Sequence, residues 1–224
     1  MLCFVVELPL VDRDAGVFLG LELRLDGVNQ DDADNPQEVV WNGRNDEGDL
    51  LPLGRMLAPD ASLLGPRGKV LENGMPRFFR RLAEGLFDLE DLARRTDELA
   101  RFVDDAADSY GFDRARVVGL GFSNGANIAA SMLLRLGPVL RGGLLLSPML
   151  PFEPATLPDL SSVTVFVGAG MADAMIPPAQ ARRLVDALRA AGADVTDFWH
   201  PAGHTITHEE LRAARGWLAA HVEA

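Results

Sequence analysis

The stretch Val117-Val118-Gly119-Leu120-Gly121-Phe122-Ser123-Asn124-Gly125 decides the fold of this chain. Its first part, 117–120, is a short apolar run of the kind that is buried on both faces of a parallel sheet. Gly-x-Ser-x-Gly follows it directly, and residues 124–135 then have the small and apolar residues of a helix that packs closely on a sheet. The stretch therefore predicts a strand, a tight turn that presents Ser123, and a helix.

The two glycines of this turn are required for steric reasons. Backbones crowd where a strand passes into a helix, so a side chain at Gly121 or Gly125 would collide with the neighbouring strand or helix. The start of the helix also directs free N–H groups toward the oxyanion that forms when the Ser123 hydroxyl attacks a carbonyl. Chance matches to Gly-x-Ser-x-Gly occur, but the strand before it and the helix after it favour a nucleophilic serine.

The segments on either side alternate between strand-like and helix-like patterns. Strand-like runs are found at 144–146, 163–167 and 195–199, and helix-like segments at 92–108, 179–191 and 209–221. Two further runs, 4–10 and 17–25, are interpreted as edge strands. This alternation predicts an α/β fold with a mostly parallel twisted sheet and helices on both faces.

Composition limits the classes of protein and of partner. A chain of 224 residues with 48% hydrophobic residues predicts one domain, 1–224. Its net charge of -12 argues against nucleic acid and anionic membrane surfaces as partners, and favours a substrate that is neutral or cationic near the reacting bond. Cys3 is the only cysteine, so no internal disulfide and no Cys-based metal site is expected. We see no signal peptide or membrane-inserting segment, and expect a cytoplasmic location.

A serine nucleophile needs a general base and a carboxylate that orients this base. All the histidines follow Ser123 in the chain: His200, His204, His208 and His221. His204 is the candidate base because it lies on a loop just after the run 195–199, and open parallel sheets place their sites at the carboxyl ends of strands. Asp173 is the candidate acid, since it lies on the loop after 163–167. The competing aspartates lie within predicted helices or strands: Asp186, Asp194 and Asp197.

Three of these histidines also have a spacing that metal sites use. His200, His204 and His208 are four residues apart, which on a helix would form a metal-binding face. Pro201 and Gly203 interrupt any helix over this span. We therefore expect neither a metal nor another cofactor.

Several separate motifs, in order along the chain, carry a family resemblance. They are Leu50-Leu51-Pro52-Leu53, Gly65-Pro66-Arg67-Gly68, residues 72–79, residues 121–127 and Gly203-His204. Over about residues 39–218 the sequence resembles the carboxylesterase/phospholipase family, and within it the MhqD-like branch. The resemblance implies an α/β-hydrolase fold without a large cap domain, and a catalytic triad of Ser123, Asp173 and His204.

The amino-terminal part departs from this pattern. Residues 1–38 resemble the family little and are interpreted as atypical amino-terminal strands of the same domain. The family has a His-Gly motif that supplies a second backbone N–H to the oxyanion hole, whereas Trp41-Asn42 stands at that place here. Gly43 can still supply this N–H, beside the N–H of Asn124. Loss of one such donor lowers turnover by about 100- to 1,000-fold.

The resemblance implies a serine hydrolase, a carboxylesterase or thioesterase, that cleaves short to medium acyl esters through an acyl-enzyme. The candidate pocket residues are Phe122, Met75, Phe78, Phe79, Met149 and Leu150, and packing in the core explains each of them equally well. Other functions stay open: a non-catalytic small-ligand binding protein with a defective oxyanion loop, or a lyase or dienelactone-type hydrolase on the same fold. Apart from the small-molecule substrate, a homodimer is the one partner that the sequence leaves open.

Overall fold

The computed structural model describes residues 2–6, 24–25, 48 and 50–221, the first two ranges as strands only. The strands are β1 Leu2–Val6, β2 Arg24–Leu25, β3 Ser62–Gly65, β4 Val70–Glu72, β5 Met75–Arg77, β6 Arg81–Ala83, β7 Leu86–Phe87, β8 Val118–Phe122, β9 Gly142–Leu146, β10 Thr164–Gly170 and β11 Asp194–His200. The helices are α1 Leu51–Leu57, α2 Leu89–Tyr110, α3 Asn124–Leu136, α4 Pro178–Ala190 and α5 His208–His221. The part of the chain so described contains no helix that is long and apolar enough to cross a bilayer.

Seven strands form the main sheet, in the order β11-β10-β9-β8-β1-β3-β2. Strands β8 to β11 pair in parallel, whereas β1 pairs antiparallel with both β8 and β3. The prediction of a mostly parallel sheet is confirmed for β8 to β11. The edge-strand interpretation of 4–10 is wrong for its described part, because β1 lies inside the sheet with hydrogen-bonded neighbours on both sides.

Both faces of β8, β9 and β10 are apolar and buried, and this explains their continuous hydrophobic runs. In β10, Val165 and Val167 belong to one core cluster and Phe166 belongs to the other. Helices α2, α3 and α4 contribute to the first cluster, while α1 and α5 contribute to the second. Helices therefore cover the sheet on both faces, as predicted.

The register of the parallel strands aligns their carboxyl ends. Phe122 at the end of β8 pairs with Leu146 at the end of β9, which pairs with Gly168 in β10. Gly170 at the end of β10 pairs with His200 at the end of β11. Residues that follow these strands are thus brought to one edge of the sheet, where open α/β sheets have their sites.

A buried pair of hydroxyl groups joins α2 to α3, the helix that follows Ser123. The Oγ atoms of Thr96 and Ser131 are 2.7 Å apart, and Thr96 Oγ1 donates to the carbonyl of Leu92 at 2.7 Å. Both residues are fully buried. The Ser131 hydroxyl must therefore donate to Thr96 Oγ1, which is the partner that keeps it satisfied.

We expect Thr96→Val to lower the free energy of unfolding by about 1–3 kcal/mol, because Ser131 then keeps a buried hydroxyl without its partner. Adding Ser131→Ala should recover part of this loss, since the unsatisfied group is removed. Urea unfolding of the two single variants and the double variant measures both steps. A double variant no more stable than Thr96→Val would contradict this account.

Candidate active site

Ser123 lies at a strained turn between β8 and α3. Its φ of 52° and ψ of -113° lie in a region that residues other than glycine rarely adopt. Two backbone hydrogen bonds hold the turn: the Ser123 N–H donates to Leu146 O at 2.9 Å, and the Asn127 N–H donates to Ser123 O at 2.9 Å. A Cβ at Gly121 would lie 2.5 Å from the backbone nitrogen of Ala126, so the predicted crowding at this glycine is confirmed.

Asp173 and His204 lie on neighbouring loops and are hydrogen-bonded to each other. The distance between Asp173 Oδ2 and His204 Nδ1 is 2.7 Å. The other carboxylate oxygen, Oδ1, accepts the N–H groups of Met175 at 2.9 Å and Ile176 at 2.8 Å. The Asp173 side chain is only 2% exposed, so these N–H groups take the place of water as hydrogen-bond donors to its carboxylate. With its proton on Nδ1 toward the carboxylate, His204 presents Nε2 as an acceptor.

Backbone contacts hold these two loops together. The Met171 N–H donates to His200 O at 2.7 Å, and the Ala172 N–H donates to Ala202 O at 3.1 Å. A Cβ at Gly170 would lie 2.3 Å from the carbonyl oxygen of Gly203, so only glycine allows this approach. The backbone itself therefore fixes the position of His204 relative to Asp173.

Ser123 and His204 line the same cavity, which has a volume of about 380 Å³ including the part open to solvent. The rest of its lining consists of Arg77, Arg81, Glu84, Gly85, Phe87, Asn124, Asn127, Met149, Met175 and Ile176. Among the described residues there is no hydrogen bond between Ser123 Oγ and His204 Nε2. Such bonds are often long without substrate and tighten in the complex.

The predicted pocket residues are divided between the cavity and the core. Met149 lines the cavity, and the Phe122 ring centroid lies 5.0 Å from that of His204. Met75 is 36% exposed in β5 and does not line this cavity. The remaining three are core residues instead: Phe78, Phe79 and Leu150. For these three the pocket prediction is wrong, because an apolar residue near a site packs equally well inward.

The structure describes only one of the two predicted oxyanion donors. Asn124 is the first residue of α3, and its N–H donates no hydrogen bond within residues 50–221 or the other described positions. Its side chain is engaged instead, since Oδ1 accepts the N–H of Phe78 at 2.8 Å. The prediction for Gly43, together with Trp41 and Asn42, lies outside the described residues.

Sequence reasoning missed several polar residues of the cavity, among them Arg77, Arg81 and Asn127, and also the role of the Asn124 side chain. Asn127 Oδ1 accepts the N–H of Met149 at 2.8 Å and so fixes the loop after β9. Two amides in the first turns of an otherwise apolar helix were the available signal for Asn124 and Asn127. Arg77 and Arg81 gave no such signal, because they lie in short hairpins without regular periodicity.

A second acid and histidine are buried beneath the His204 loop. Glu210 is fully buried, and burial raises its pKa to about 7. Burial also lowers the pKa of His200, partly offset by the charge of Asp173. Their nearest atoms, Glu210 Oε2 and His200 Nε2, are 3.5 Å apart. Because burial disfavours both charged forms, we describe them as a neutral pair rather than an ion pair.

Glu210 also caps the helix that follows His204. Its N–H donates to Thr207 Oγ1 at 3.2 Å, and its Oε2 accepts the Thr207 N–H at 3.2 Å. This reciprocal arrangement is a capping box at the start of α5. Within the described part of the chain, no three His, Cys, Asp or Glu side chains are grouped as metal ligands.

Replacing Glu210 should change how stability depends on pH. Its pKa is about 7 in the folded chain and 4.5 for the ordinary group, so the folded state binds more protons between these values. The free energy of unfolding therefore falls as the pH rises through this window. We expect Glu210→Gln, which keeps the oxygen that accepts from Thr207, to be about 3 kcal/mol more stable than wild type at pH 8 and nearly equal to it near pH 4.5.

Urea unfolding from pH 4.5 to pH 8 measures this difference. The matched control is Glu209→Gln, because Glu209 is exposed on the same turn of α5. A stability difference between Glu210→Gln and wild type that does not change with pH would contradict the raised pKa.

Comparison with known proteins agrees with this geometry. The profile of the family described as Phospholipase/Carboxylesterase matches residues 72–222. MhqD of Bacillus subtilis (strain 168) is 47% identical over 185 residues, which cover 83% of this chain and 92% of that protein.

Solved structures give the same result. The carboxylesterase of Bacillus cereus has 47% identity and a TM-score of 0.77, with 79% of this chain and 83% of that chain covered. A carboxylesterase of Mesorhizobium loti has 32% identity and a TM-score of 0.72, with 78% and 83% covered. With its aligned parallel strands and its strained serine turn, the chain belongs to the phospholipase/carboxylesterase family of α/β-hydrolases.

Proposed function

We propose that this chain is a serine carboxylesterase or thioesterase that acts through Ser123, His204 and Asp173. The observation that carries the proposal is the 2.7 Å hydrogen bond between Asp173 and His204, on a cavity that His204 shares with Ser123. The strained backbone at Ser123 supports it, because such strain is found at nucleophile turns of this kind. Two of the similar proteins described above are carboxylesterases by name.

In the first half of the reaction, Ser123 Oγ bonds to the carbonyl carbon of the ester while His204 Nε2 accepts the hydroxyl proton. The carbonyl oxygen becomes an oxyanion, and the unpaired N–H of Asn124 donates to it. The bond to the leaving oxygen or sulfur then breaks, and His204 returns the proton to that atom. The acyl group is left on Ser123 as an ester.

Water completes the cycle by the same route. His204 Nε2 accepts a proton from the water as its oxygen bonds to the acyl carbon, and then returns a proton to Ser123 Oγ when the carboxylic acid leaves. Asp173 stabilises the imidazolium that forms in both halves. The N–H groups of Met175 and Ile176 hold Asp173 in place, so its carboxylate does not rotate away from His204.

The lining of the cavity suits a small acyl group. Its apolar wall is formed by Phe87, Met149 and Ile176, which suits a short or medium acyl chain. We propose Gly43 as the second oxyanion donor, on the resemblance of its segment to the family's oxyanion loop.

We expect Ser123→Ala to lower kcat for a fluorogenic short-chain ester by about a thousandfold or more, because no other group replaces the nucleophile. The matched control is Ser147→Ala. Ser147 follows the neighbouring strand β9 with a φ of 47°, and its buried hydroxyl has no hydrogen-bond partner among the described residues. Ser147→Ala should keep the wild-type rate. Equal turnover by wild type and Ser123→Ala would exclude Ser123 as the nucleophile.

A fluorophosphonate probe separates this proposal from a non-catalytic ligand-binding protein. An activated Ser123 attacks the phosphorus and becomes covalently labelled, whereas an unactivated serine does not. We expect labelling of wild type and of Ser147→Ala, and none of Ser123→Ala, as seen by the mass of the intact protein. Absence of labelling in folded wild-type protein would favour the ligand-binding function.

A further inference from the structure

Two arginines line the cavity beside Ser123. Arg77 at the end of β5 and Arg81 at the start of β6 both line it, together with Ser123 and His204. The chain as a whole has a net charge of -12. Two guanidinium groups therefore lie beside the nucleophile in a chain that is acidic overall.

A single carboxylate, Glu72, is paired with both arginines. Arg81 donates to both Glu72 oxygens, through Nε to Oε2 at 3.2 Å and through Nη2 to Oε1. Arg77 Nε lies 3.0 Å from the same Oε2. Glu84 also lines the cavity, but it is exposed and forms no ion pair with either arginine in the described part of the chain. The half-buried Glu72 carboxylate thus pairs with two guanidinium groups, and the charge of Glu84 acts on both of them as well.

Arg77 keeps unused donors. The residues that the structure describes contain no hydrogen bond from its Nη1 or Nη2, and the contact of its Nε with Glu72 lies outside hydrogen-bond geometry. Its side chain is 20% exposed, and Nε is the one Arg77 nitrogen that is buried without a hydrogen-bond partner among the described residues, so Nη1 and Nη2 are open to the cavity. Burial, and secondly the charge of Arg81, lower the pKa of Arg77. An anion in the cavity would offset both effects.

The backbone holds Arg77 at a fixed place relative to the reacting serine. The N–H of Phe78, the next residue, donates to Asn124 Oδ1 at 2.8 Å in a buried hydrogen bond. Asn124 is in turn the residue after Ser123. A substrate group bound by Arg77 is therefore positioned with respect to the Ser123 hydroxyl.

We propose that Arg77 binds a carboxylate on the substrate, so that the preferred substrates are monoesters of short dicarboxylic acids. A carboxylate matches the planar fork of a guanidinium group, and Arg81 holds Glu72 so that Arg77 stays available. This specificity rests on the proposed esterase function. It adds a negative charge at the far end of the acyl chain, whereas the expectation drawn from the net charge concerns the region near the reacting bond.

The test compares two esters that differ in one group. The 4-nitrophenyl monoester of adipic acid carries a terminal carboxylate, whereas 4-nitrophenyl hexanoate has the same chain length without it. We expect Arg77→Gln to lower kcat/KM for the adipate ester, mainly through KM, by about tenfold more than it lowers kcat/KM for the hexanoate ester. Arg77→Lys should retain part of the preference because it keeps the charge.

Arg80→Gln is the matched control. Arg80 is the neighbouring arginine, its side chain is 65% exposed, and it pairs with Asp88 outside the cavity. This variant should leave the ratio of the two rates unchanged. An Arg77→Gln variant with the wild-type ratio, or with equal losses on both esters, would overturn the proposal.

A binding measurement separates this proposal from the proposed function. Monomethyl adipate should bind Ser123→Ala about tenfold more tightly than it binds Ser123→Ala/Arg77→Gln, as measured by calorimetry. Equal binding to both would overturn the role of Arg77, even if Ser123→Ala has lost its hydrolysis of both esters. If Ser123→Ala still hydrolyses them, the triad assignment fails, while the binding difference still reports on Arg77.

Discussion

The in-register parallel pairing of β8, β9, β10 and β11 is the constraint on which the rest of the structure depends. It places Ser123, Asp173 and His204 on loops at one edge of the sheet. The same register assigns alternate residues of each strand to the two core clusters. A slip of one residue would exchange these faces and also displace the loops. Burial of the core and assembly of the candidate site are therefore secured by one set of hydrogen bonds.

Within this frame, close backbone contacts position the candidate site more than side-chain packing does. Gly121 allows α3 to approach β8, and Gly170 allows the loop after β10 to approach the His204 loop. Both contacts leave no room for a Cβ. Side chains then complete the arrangement through single hydrogen bonds to the backbone, such as those of Asn124 and Asn127. Contacts among the loops therefore position the site, in addition to the strands that precede these loops.

The sequence predicts those features whose cause is local. Apolar runs, the Gly-x-Ser-x-Gly turn and post-strand loops lie within a few residues, and they gave the parallel strands, the helices and the pairing of Asp173 with His204. Features caused by contacts between residues far apart in the chain were not predicted. β1 lies inside the sheet because of its pairing with β3 and β8, and Phe79 packs inward against Phe87. Arg77 lines the cavity because of the way the short hairpins pair, and no periodic pattern in the sequence predicts that pairing.

The buried carboxyl groups of Asp173 and Glu210 differ in their number of hydrogen-bond donors. Asp173 has three donors for its carboxylate, from His204, Met175 and Ile176, whereas Glu210 has only the N–H of Thr207. Burial accordingly raises the pKa of Glu210, which then adds little negative charge below pH 7. Asp173 is hydrogen-bonded to His204, and Arg77 lines the cavity that His204 shares with Ser123. The proposed contact with Arg77 orients a substrate by its terminal carboxylate and leaves the ester carbonyl for Ser123.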